Sequence, residues 1–275
     1  MKKENLEIVF TDLDRTLLRD DNTFSSRSLK ALKLLKKTGI KVVIATGRNI
    51  FSAEKVLPHG LPIDYLMISS GCGIIDWKTK KVVYENHLSQ IETDQILRIF
   101  DKYKLDFMIH HPIPENHRFS YFRSRNDNLD FERRLEIYSD FAEELTEKPQ
   151  IASQFIAIFK PDELKLYENV KNEINSLQVI RATSPLDHES IWLEVFPNEV
   201  SKGHSAKWLC KKLEICRNST IGIGNDFNDI DLLDFTGRSF VVENAPKELK
   251  EIYQVIDSNQ GDGFAKLIEK VLKES

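Results

Sequence analysis

The sequence predicts an α/β protein with a doubly wound parallel sheet and an inserted α+β domain. Apolar strands without polar alternation alternate with helices in residues 1–83 and again in 198–275. This rhythm is typical of a parallel sheet that is covered on both faces. In residues 84–197 the order becomes helix–strand–strand and then strand–helix–strand–strand, which favours largely antiparallel pairing. We therefore expect a core built from both ends of the chain, with a separate domain between them.

The first core segment contains three predicted strands joined by helices. The segment 25–39 predicts a helix with a serine at its N-cap and Gly39 at its end, because serine is a preferred N-cap and glycine a preferred helix stop. The predicted strands cover 6–14, 40–45 and 65–70, with a short helix over 50–57 that ends before Pro58 and a hairpin-like excursion at 77–85.

The middle segment has a different composition of elements. Ser89 and Glu92 form a capping box before an apolar-faced helix. The remaining predicted elements are strands at 106–111, 117–123, 154–159, 177–182 and 191–196, a helix over about 127–146 and a helix opening at Pro161. The large aromatic residues here are more typical of a core than of a binding platform; they are Phe107, Phe119, Phe122 and Trp192.

The last segment again alternates apolar strands with helices, as the first core segment does. A helix begins after Ser201, a strand covers 219–224, and a terminal helix covers 263–273. The carboxyl ends of the parallel strands are the edge at which such sheets bind ligands.

Composition excludes several classes of protein. The net charge is -4 over 275 residues, and mixed charges give no basic face for nucleic acid. No apolar run approaches the roughly 20 residues needed to span a bilayer, and the N-terminus lacks the apolar region of a secretory signal. The three cysteines, Cys72, Cys210 and Cys216, have no CxxC spacing. We therefore expect a cytoplasmic protein without disulfides or a zinc site.

The first polar cluster is Asp12-Leu13-Asp14-Arg15-Thr16, which leaves the first strand. One carboxylate can attack phosphorus while the other moves a proton, and a carboxylate nucleophile needs no base to activate it. A surface turn is the alternative interpretation, because Asp and Thr are common in turns.

The second cluster, Thr46-Gly47-Arg48, follows the second strand. A hydroxyl and exposed backbone N–H groups there can hold a phosphate, and Arg48 adds positive charge. Taken alone, the tripeptide is more typical of a plain strand-to-helix turn.

The third candidate is Lys202, which Ser201 places in the first turn of a helix. A cation is poorly placed there with respect to the helix dipole, so this lysine indicates an anion nearby. The alternative is a solvated surface lysine.

The fourth cluster, Gly224-Asn225-Asp226-Phe227-Asn228-Asp229, follows a late strand. Its hard oxygen ligands suit Mg²⁺. A helix N-cap is the alternative, although one Asp would be enough for a cap.

In this order, the clusters resemble the haloacid dehalogenase superfamily of phosphatases, and more narrowly its Cof-type branch. The matching motifs are FTDLDRTLL, IATGR, VSKG, GNDFNDIDLL and ENAPKELK. The resemblance implies a Rossmann-like core with an inserted α+β cap. It also implies that Asp12 is the nucleophile, that Asp14 is the acid and base, and that Mg²⁺ is the cofactor. Candidate phosphate-binding residues are Leu13, Thr46, Gly47, Lys202 and Asn228; candidate metal ligands are Asp12, Asp14, Asn225, Asp226 and Asp229.

Two positions depart from the family pattern. Arg15 replaces the usual glycine, and Asn225 stands where many relatives have the metal-binding Asp. The metal ligand is then Asn225 through its amide oxygen or the adjacent Asp226, with Asn225 favoured by position.

The resemblance implies a small phosphorylated metabolite as substrate, with sugar phosphates favoured. Candidate substrate contacts are Arg15, Arg48, Arg181 and His188, and further polar groups of the cap near strand ends are His110, His111, Arg123 and Arg125. Taken individually, each of these cap residues is more typical of surface charge or a turn. A sugar phosphomutase and a catalytically silent binding or regulatory protein are the alternatives. The sequence indicates no oligomeric state.

Overall fold

The computed structural model describes residues 6–125, 127–184 and 186–274. Half of the N-terminal stretch 1–10, for which the sequence predicts no secretory signal, lies outside these described residues. The chain forms two compact units. The described residues up to Tyr84 and from Ser201 onward form the first, which we call the core unit, and Glu85–Val200 form the second, the cap unit.

The α-helices and strands follow one another as in the predicted α/β pattern. The strands are β1 (Ile8–Thr11), β2 (Lys41–Ala45), β3 (Tyr65–Ile68), β4 (Gly73–Asp76), β5 (Lys81–Glu85), β6 (Phe107–His110), β7 (Phe119–Phe122), β8 (Ala142–Glu144), β9 (Gln154–Phe159), β10 (Gln178–Thr183), β11 (Ile191–Phe196), β12 (Thr220–Gly224), β13 (Arg238–Val242) and β14 (Gln254–Ile256). The helices are α1 (Ser26–Thr38), α2 (Ile50–Glu54), α3 (Gln90–Lys102), α4 (Leu129–Ile137), α5 (Leu164–Glu173), α6 (Lys202–Lys212), α7 (Ile230–Phe235), α8 (Lys247–Ile252) and α9 (Gly263–Glu274).

In the core unit, the described strands form one sheet in the order β14-β13-β12-β1-β2-β3-β4-β5. From β14 to β3 all neighbours are parallel, and β4 runs antiparallel to β3. The predicted doubly wound sheet is thus confirmed, with an antiparallel edge added to it.

Both faces of this sheet are buried, which explains why its strands lack polar alternation. Ile8 and Phe10 of β1 belong to one apolar cluster with Ala206 and Leu209 of α6. Side chains alternate along a strand, so Val9 faces the opposite side, where it is equally inaccessible to solvent. Helices α1 and α9 contact one another.

The cap unit contains a mixed sheet in the order β10-β11-β9-β6-β7-β8. Its pairs are antiparallel except for β7 and β8. Phe155, Ala157 and Phe159 of β9 pack with helices α3 and α5, whereas Ile156 and Ile158 pack on the other face with α4. The predicted inserted α+β domain is confirmed.

Two predictions for the cap unit were wrong. The expected helix over 127–146 ends at Ile137, and Ala142–Glu144 forms a strand beside β7. Without that strand, β7 would present an unpaired backbone edge, so tertiary pairing overrides the local helix preference. Phe122 is 39% exposed rather than part of the core, although its ring stacks on Phe107 at 5.4 Å.

Nowhere in the described ranges does a helix combine the length and the apolar character needed to cross a bilayer.

Candidate active site

Two strands that end side by side carry the first and the last polar clusters. Strands β1 and β12 pair with Thr11 opposite Ile223, and the Asp12 N–H donates to the Ile223 carbonyl at 2.8 Å. The order in which successive strands are added to the sheet changes direction at this pair: β2 and β3 lie on one side of it, and β13 and β14 lie on the other. Such a reversal leaves a crevice in which ligands bind. Asp12 and the loop after Gly224 therefore lie at this crevice.

The ammonium group of Lys202 joins two carboxylates at this edge. Its Nζ lies 2.7 Å from Asp12 Oδ1 and 2.6 Å from Asp229 Oδ1, and its side chain is fully buried. The Ser201 side chain caps α6 by accepting from the His204 N–H. Burial alone would lower the pKa of Lys202, but the two carboxylates outweigh it and raise that pKa. Lys202 therefore remains positively charged.

Asp229 uses both of its carboxylate oxygens within the protein. While Oδ1 accepts from Lys202, Oδ2 accepts from the backbone N–H groups of Asn225 at 2.8 Å and Asp226 at 3.1 Å. A Cβ atom on Gly224 would lie 2.6 Å from Oδ2, so only glycine permits this close approach. Asp229, which the family resemblance placed among the metal ligands, thus holds Lys202 and shapes the loop.

The charges at the crevice favour a further cation. Burial raises the pKa of Asp12 to about 7; Lys202 opposes this rise, and the carboxylates of Asp229 and Asp14 add to it. Burial also raises the pKa of Asp226. One buried ammonium is therefore too little positive charge for this group of carboxylates, and a divalent cation would stabilise their ionised forms.

The oxygen donors at this edge fit Mg²⁺. Within the described ranges, no three Asp, Glu, His or Cys side chains converge as a ready-made metal site. Mg²⁺ nevertheless keeps several waters and needs only one or two carboxylates beside the substrate phosphate. The residues available to hold it are Asp12, Asp14 through its backbone carbonyl, and Asn225 or Asp226. The Asn225 Oδ1 atom accepts from the Thr16 hydroxyl at 3.1 Å, and the Asp226 carboxylate accepts from the Phe227 N–H at 2.7 Å.

The side chain of Asp14 is bound by Arg48. The Arg48 Nε atom lies 3.0 and 2.9 Å from the two carboxylate oxygens, and its Nη2 atom lies 2.6 Å from Oδ1. Arg48 also donates to Asn22 Oδ1 at 3.2 Å and to the Ser52 carbonyl at 3.3 Å. The sequence predicts Arg48 as a substrate contact. In the structure its guanidinium contacts Asp14, the predicted acid and base.

The predicted phosphate-binding residues of the second and fourth clusters lie close together. The Thr46 hydroxyl is buried and accepts from the Arg48 N–H at 3.1 Å. A Cβ atom on Gly47 would lie 3.9 Å from Asn228 Nδ2, so these two residues are neighbours. The side chain of Leu13 is fully buried, so only its backbone can serve a ligand.

The loop that carries Asp14 has a partner that the sequence did not reveal. Arg15 has a left-handed backbone (φ 55°), and the Asn244 side chain donates to the Arg15 carbonyl at 2.8 Å. The Arg15 side chain lies 4.0 Å from Asp20 and is 62% exposed. Asn244 belongs to the ENAP motif, whose position after β13 was the available signal.

The two remaining substrate candidates lie in the cap unit. The Arg181 guanidinium lies 5.7 Å from the centre of the Tyr167 ring. The backbone of His188 is left-handed (φ 62°), and its N–H donates to the Ser184 carbonyl at 3.0 Å. Their roles in substrate binding stay predictions.

Comparisons with known proteins agree with this architecture. The family model for haloacid dehalogenase-like hydrolases matches residues 9–268. The chain is 28% identical over 269 residues to a predicted phosphatase of Buchnera aphidicola subsp. Schizaphis graminum, covering 96% of this chain and 94% of that protein. It is 24% identical over 293 residues to the phosphatase YwpJ of Bacillus subtilis, covering 97% of this chain and 100% of that protein.

Solved structures show the same fold. BT1666, a phosphatase of the superfamily from Bacteroides thetaiotaomicron, superimposes with a TM-score of 0.82 at 17% identity, covering 98% of this chain and 96% of that chain. The subclass IIB sugar phosphatase BT4131 superimposes with a TM-score of 0.74 at 19% identity, covering 96% and 98%. Because the family model spans nearly the whole sequence, including both core segments and the inserted unit, this chain belongs to the haloacid dehalogenase-like hydrolase family.

Proposed function

We propose that this protein is a Mg²⁺-dependent phosphatase of small phosphorylated metabolites that forms a phospho-aspartate on Asp12. The observation that carries the proposal is the buried Lys202 ammonium, 2.7 Å from Asp12 and 2.6 Å from Asp229. An anionic nucleophile can approach an anionic phosphate only where positive charge offsets the repulsion, and such electrostatic stabilisation is usually the largest catalytic contribution.

In the first step, Asp12 attacks phosphorus with the carboxylate oxygen that is not bound to Lys202. The bond between phosphorus and the leaving-group oxygen breaks, and protonated Asp14 donates its proton to that oxygen. Lys202, Thr46 and Asn228 bind the oxygens of the transferring group. The products of this step are an alcohol and phospho-Asp12.

In the second step, a water molecule attacks phosphorus while Asp14 accepts its proton. The bond between phosphorus and the Asp12 oxygen breaks, which releases inorganic phosphate and regenerates the Asp12 carboxylate. Both steps require Asp14 to turn from Arg48 toward the crevice. The chemistry that Mg²⁺ supplies when bound is neutralisation of charge on the phosphoryl group and on Asp12.

Sugar phosphates are the substrate class that we propose first. The support is the fold, which this chain shares with the subclass IIB sugar phosphatase BT4131. The phosphate-binding residues of the core recognise only the phosphoryl group, so the selection of the sugar falls to other residues. Arg181 and His188 of the cap unit are our candidates for that role.

The test is a screen of phosphorylated metabolites with Mg²⁺ that measures both released phosphate and isomeric sugar phosphates. Released phosphate with at least one substrate is the expected result, and Asp12→Asn should abolish it. Asp21→Asn, an exposed carboxylate of the same loop, is the matched control and should retain activity. Formation of an isomeric phosphate without release would identify a phosphomutase, and no turnover of any substrate would favour the silent binding protein.

A further inference from the structure

Three consecutive residues after β3 have left-handed backbones, although two of them are not glycine. The φ angles are 47° at Ser69, 55° at Ser70 and 101° at Gly71. A left-handed residue with a Cβ atom costs roughly 1–2 kcal/mol, and such outliers persist only where the surrounding structure holds them. We call residues 69–71 the serine turn.

The surrounding structure holds the serine turn between two phosphate-binding elements. The Ser69 N–H donates to the Arg48 carbonyl at 2.9 Å, and the Ser70 N–H donates to the Thr46 carbonyl at 3.1 Å. On its other side, a Cβ atom on Gly71 would lie 2.4 Å from the Ser201 carbonyl oxygen. The Ser205 hydroxyl also donates to the Gly71 carbonyl at 2.6 Å. The turn therefore connects the Thr46–Arg48 loop to the start of α6, which carries Lys202.

The hydroxyl group of Ser70 forms none of these hydrogen bonds. Ser70 is 1% exposed, and its Oγ atom has no hydrogen-bond partner among the described residues. A buried hydroxyl without a partner is costly, and in a native structure it calls for an explanation. A Cβ atom on Gly47 would lie 3.7 Å from this Oγ and 3.9 Å from Asn228 Nδ2. The Ser70 hydroxyl therefore lies on the Gly47 side of the crevice, as the Asn228 amide does.

From this geometry we infer that Ser70 is a further phosphate-binding residue, whose hydroxyl donates to an oxygen of the bound phosphoryl group beside Gly47 and Asn228. The inference rests on the proposed phosphatase function. The Ser70 N–H already donates to the Thr46 carbonyl, so the hydroxyl is the donor of this residue that remains for a ligand. A bound phosphate would supply the hydrogen-bond partner that the hydroxyl does not find among the described residues.

Two substitutions separate the hydroxyl from the strained backbone. Ser70→Ala removes the hydroxyl and retains the strain, whereas Ser70→Gly removes both. Binding of inorganic phosphate in the presence of Mg²⁺, measured by calorimetric titration of the full chain, should weaken about tenfold in each variant, as expected for one lost hydrogen bond to a charged group. The midpoint of thermal unfolding should be higher for Ser70→Gly than for Ser70→Ala by about 2–4 °C.

Glu214→Gly provides a matched control. Glu214 is exposed, follows the last turn of α6 and has a left-handed backbone (φ 57°). Its replacement should raise the unfolding midpoint without changing phosphate affinity. A purely structural role for Ser70 predicts that Ser70→Gly binds phosphate as the wild type does, and that result would overturn the inference. Wild-type protein that binds no phosphate would overturn the proposed function as well. Phosphate binding that is equal in the wild type and Ser70→Gly would overturn only the role of Ser70, so the two failures are distinguishable.

Discussion

The guanidinium of Arg48 binds both carboxylate oxygens of Asp14, at distances of 2.6–3.0 Å. The two side chains are 25% and 41% exposed, so the pair lies at the rim of the crevice rather than inside it. Because the pair occupies both oxygens of Asp14, the acid step of the proposed mechanism requires Asp14 to be released from Arg48. We regard the pair as the resting arrangement of Asp14, in which Arg48 fixes its position between turnovers.

This pairing predicts that substitutions of Arg48 and Asp14 are not additive. Asp14→Asn should lower kcat/KM by about 100-fold or more, as expected for a lost general acid. Arg48→Ala should lower it about tenfold in the wild type, because Asp14 loses its bidentate partner. In the double variant the Arg48 effect should disappear, which a double-mutant cycle on kcat/KM measures.

Lys36→Ala is the control for this cycle, because Lys36 forms an ion pair with Asp64 at 2.8 Å and is exposed. Its kcat/KM should equal that of the wild type. If Arg48→Ala cost the same factor with and without Asp14, Arg48 would act on the substrate independently of Asp14.

Lys202→Met should lower both the stability and the turnover of the protein. It leaves Asp12 and Asp229 without their shared cation in a buried site, which we expect to cost about 3–5 kcal/mol of unfolding free energy. Turnover should fall by about 10²-fold or more, because the charge that offsets phosphate repulsion is lost. Urea unfolding and phosphate release measure the two effects.

Lys211→Met, in the last turn of the same helix and exposed, is the matched control. It should leave both quantities unchanged. Lys202→Arg should not restore turnover, because a planar guanidinium cannot replace a compact ammonium between two carboxylates. Retained turnover in Lys202→Met would contradict the proposed function, because that proposal rests on the positive charge of Lys202 beside Asp12.

The sequence predicted a parallel sheet with Asp12 and Asn225 just past the ends of its strands, because apolar strands and their helices are local patterns. Other features depend on contacts between distant residues. The Arg48–Asp14 pair joins positions 34 residues apart, and Lys202 and Asp229 are 27 apart. The strand over Ala142–Glu144 likewise forms only because β7 offers an edge. Local patterns carry no information about such partners, so the sequence offers candidate residues for the site without indicating which of them bind one another.

The cap unit contains a histidine that should make the protein sensitive to acid. The His110 Nδ1–H donates to the Asn116 carbonyl at 2.8 Å, and its Nε2 lies 3.4 Å from Arg134 Nη2, which fixes the neutral ring. Burial lowers the pKa of His110 to about 3, and Arg134 adds to this effect. An unfolded chain binds the proton with a pKa near 6.5. The stabilising contribution is therefore complete above about pH 6.5 and is lost as the pH falls toward 3.

The free energy of unfolding from urea titrations should accordingly fall between about pH 6.5 and pH 4.5, with a contribution from His110 of about 1.4 kcal/mol per pH unit. His110→Gln, which does not titrate, should reduce this slope. His111→Gln, which replaces the adjacent and more exposed histidine, is the matched control for the loss of one imidazole. An equal slope in His110→Gln and the wild type would mean that other groups carry the acid sensitivity.

Asn225 is the residue that we expect to bind Mg²⁺ through its side chain. The Thr16 hydroxyl donates to Asn225 Oδ1 at 3.1 Å, which orients the amide oxygen and leaves it a second lone pair for a cation. Asn225→Ala should weaken Mg²⁺ binding about tenfold or more, and Thr16→Val should weaken it by a similar factor through the lost orientation. Both effects are measured as the Mg²⁺ dependence of the unfolding midpoint, because a bound ion stabilises the folded state by mass action.

Two further variants test Asp226 as the alternative ligand. Asp226→Asn removes the charge of that carboxylate but keeps an oxygen at the same position. Asp231→Asn, at an exposed carboxylate of α7, controls for the loss of one charge. If Asp226→Asn weakens Mg²⁺ binding more than Asn225→Ala does, the carboxylate of Asp226 is the ligand. The Thr16 hydroxyl would then only position the loop.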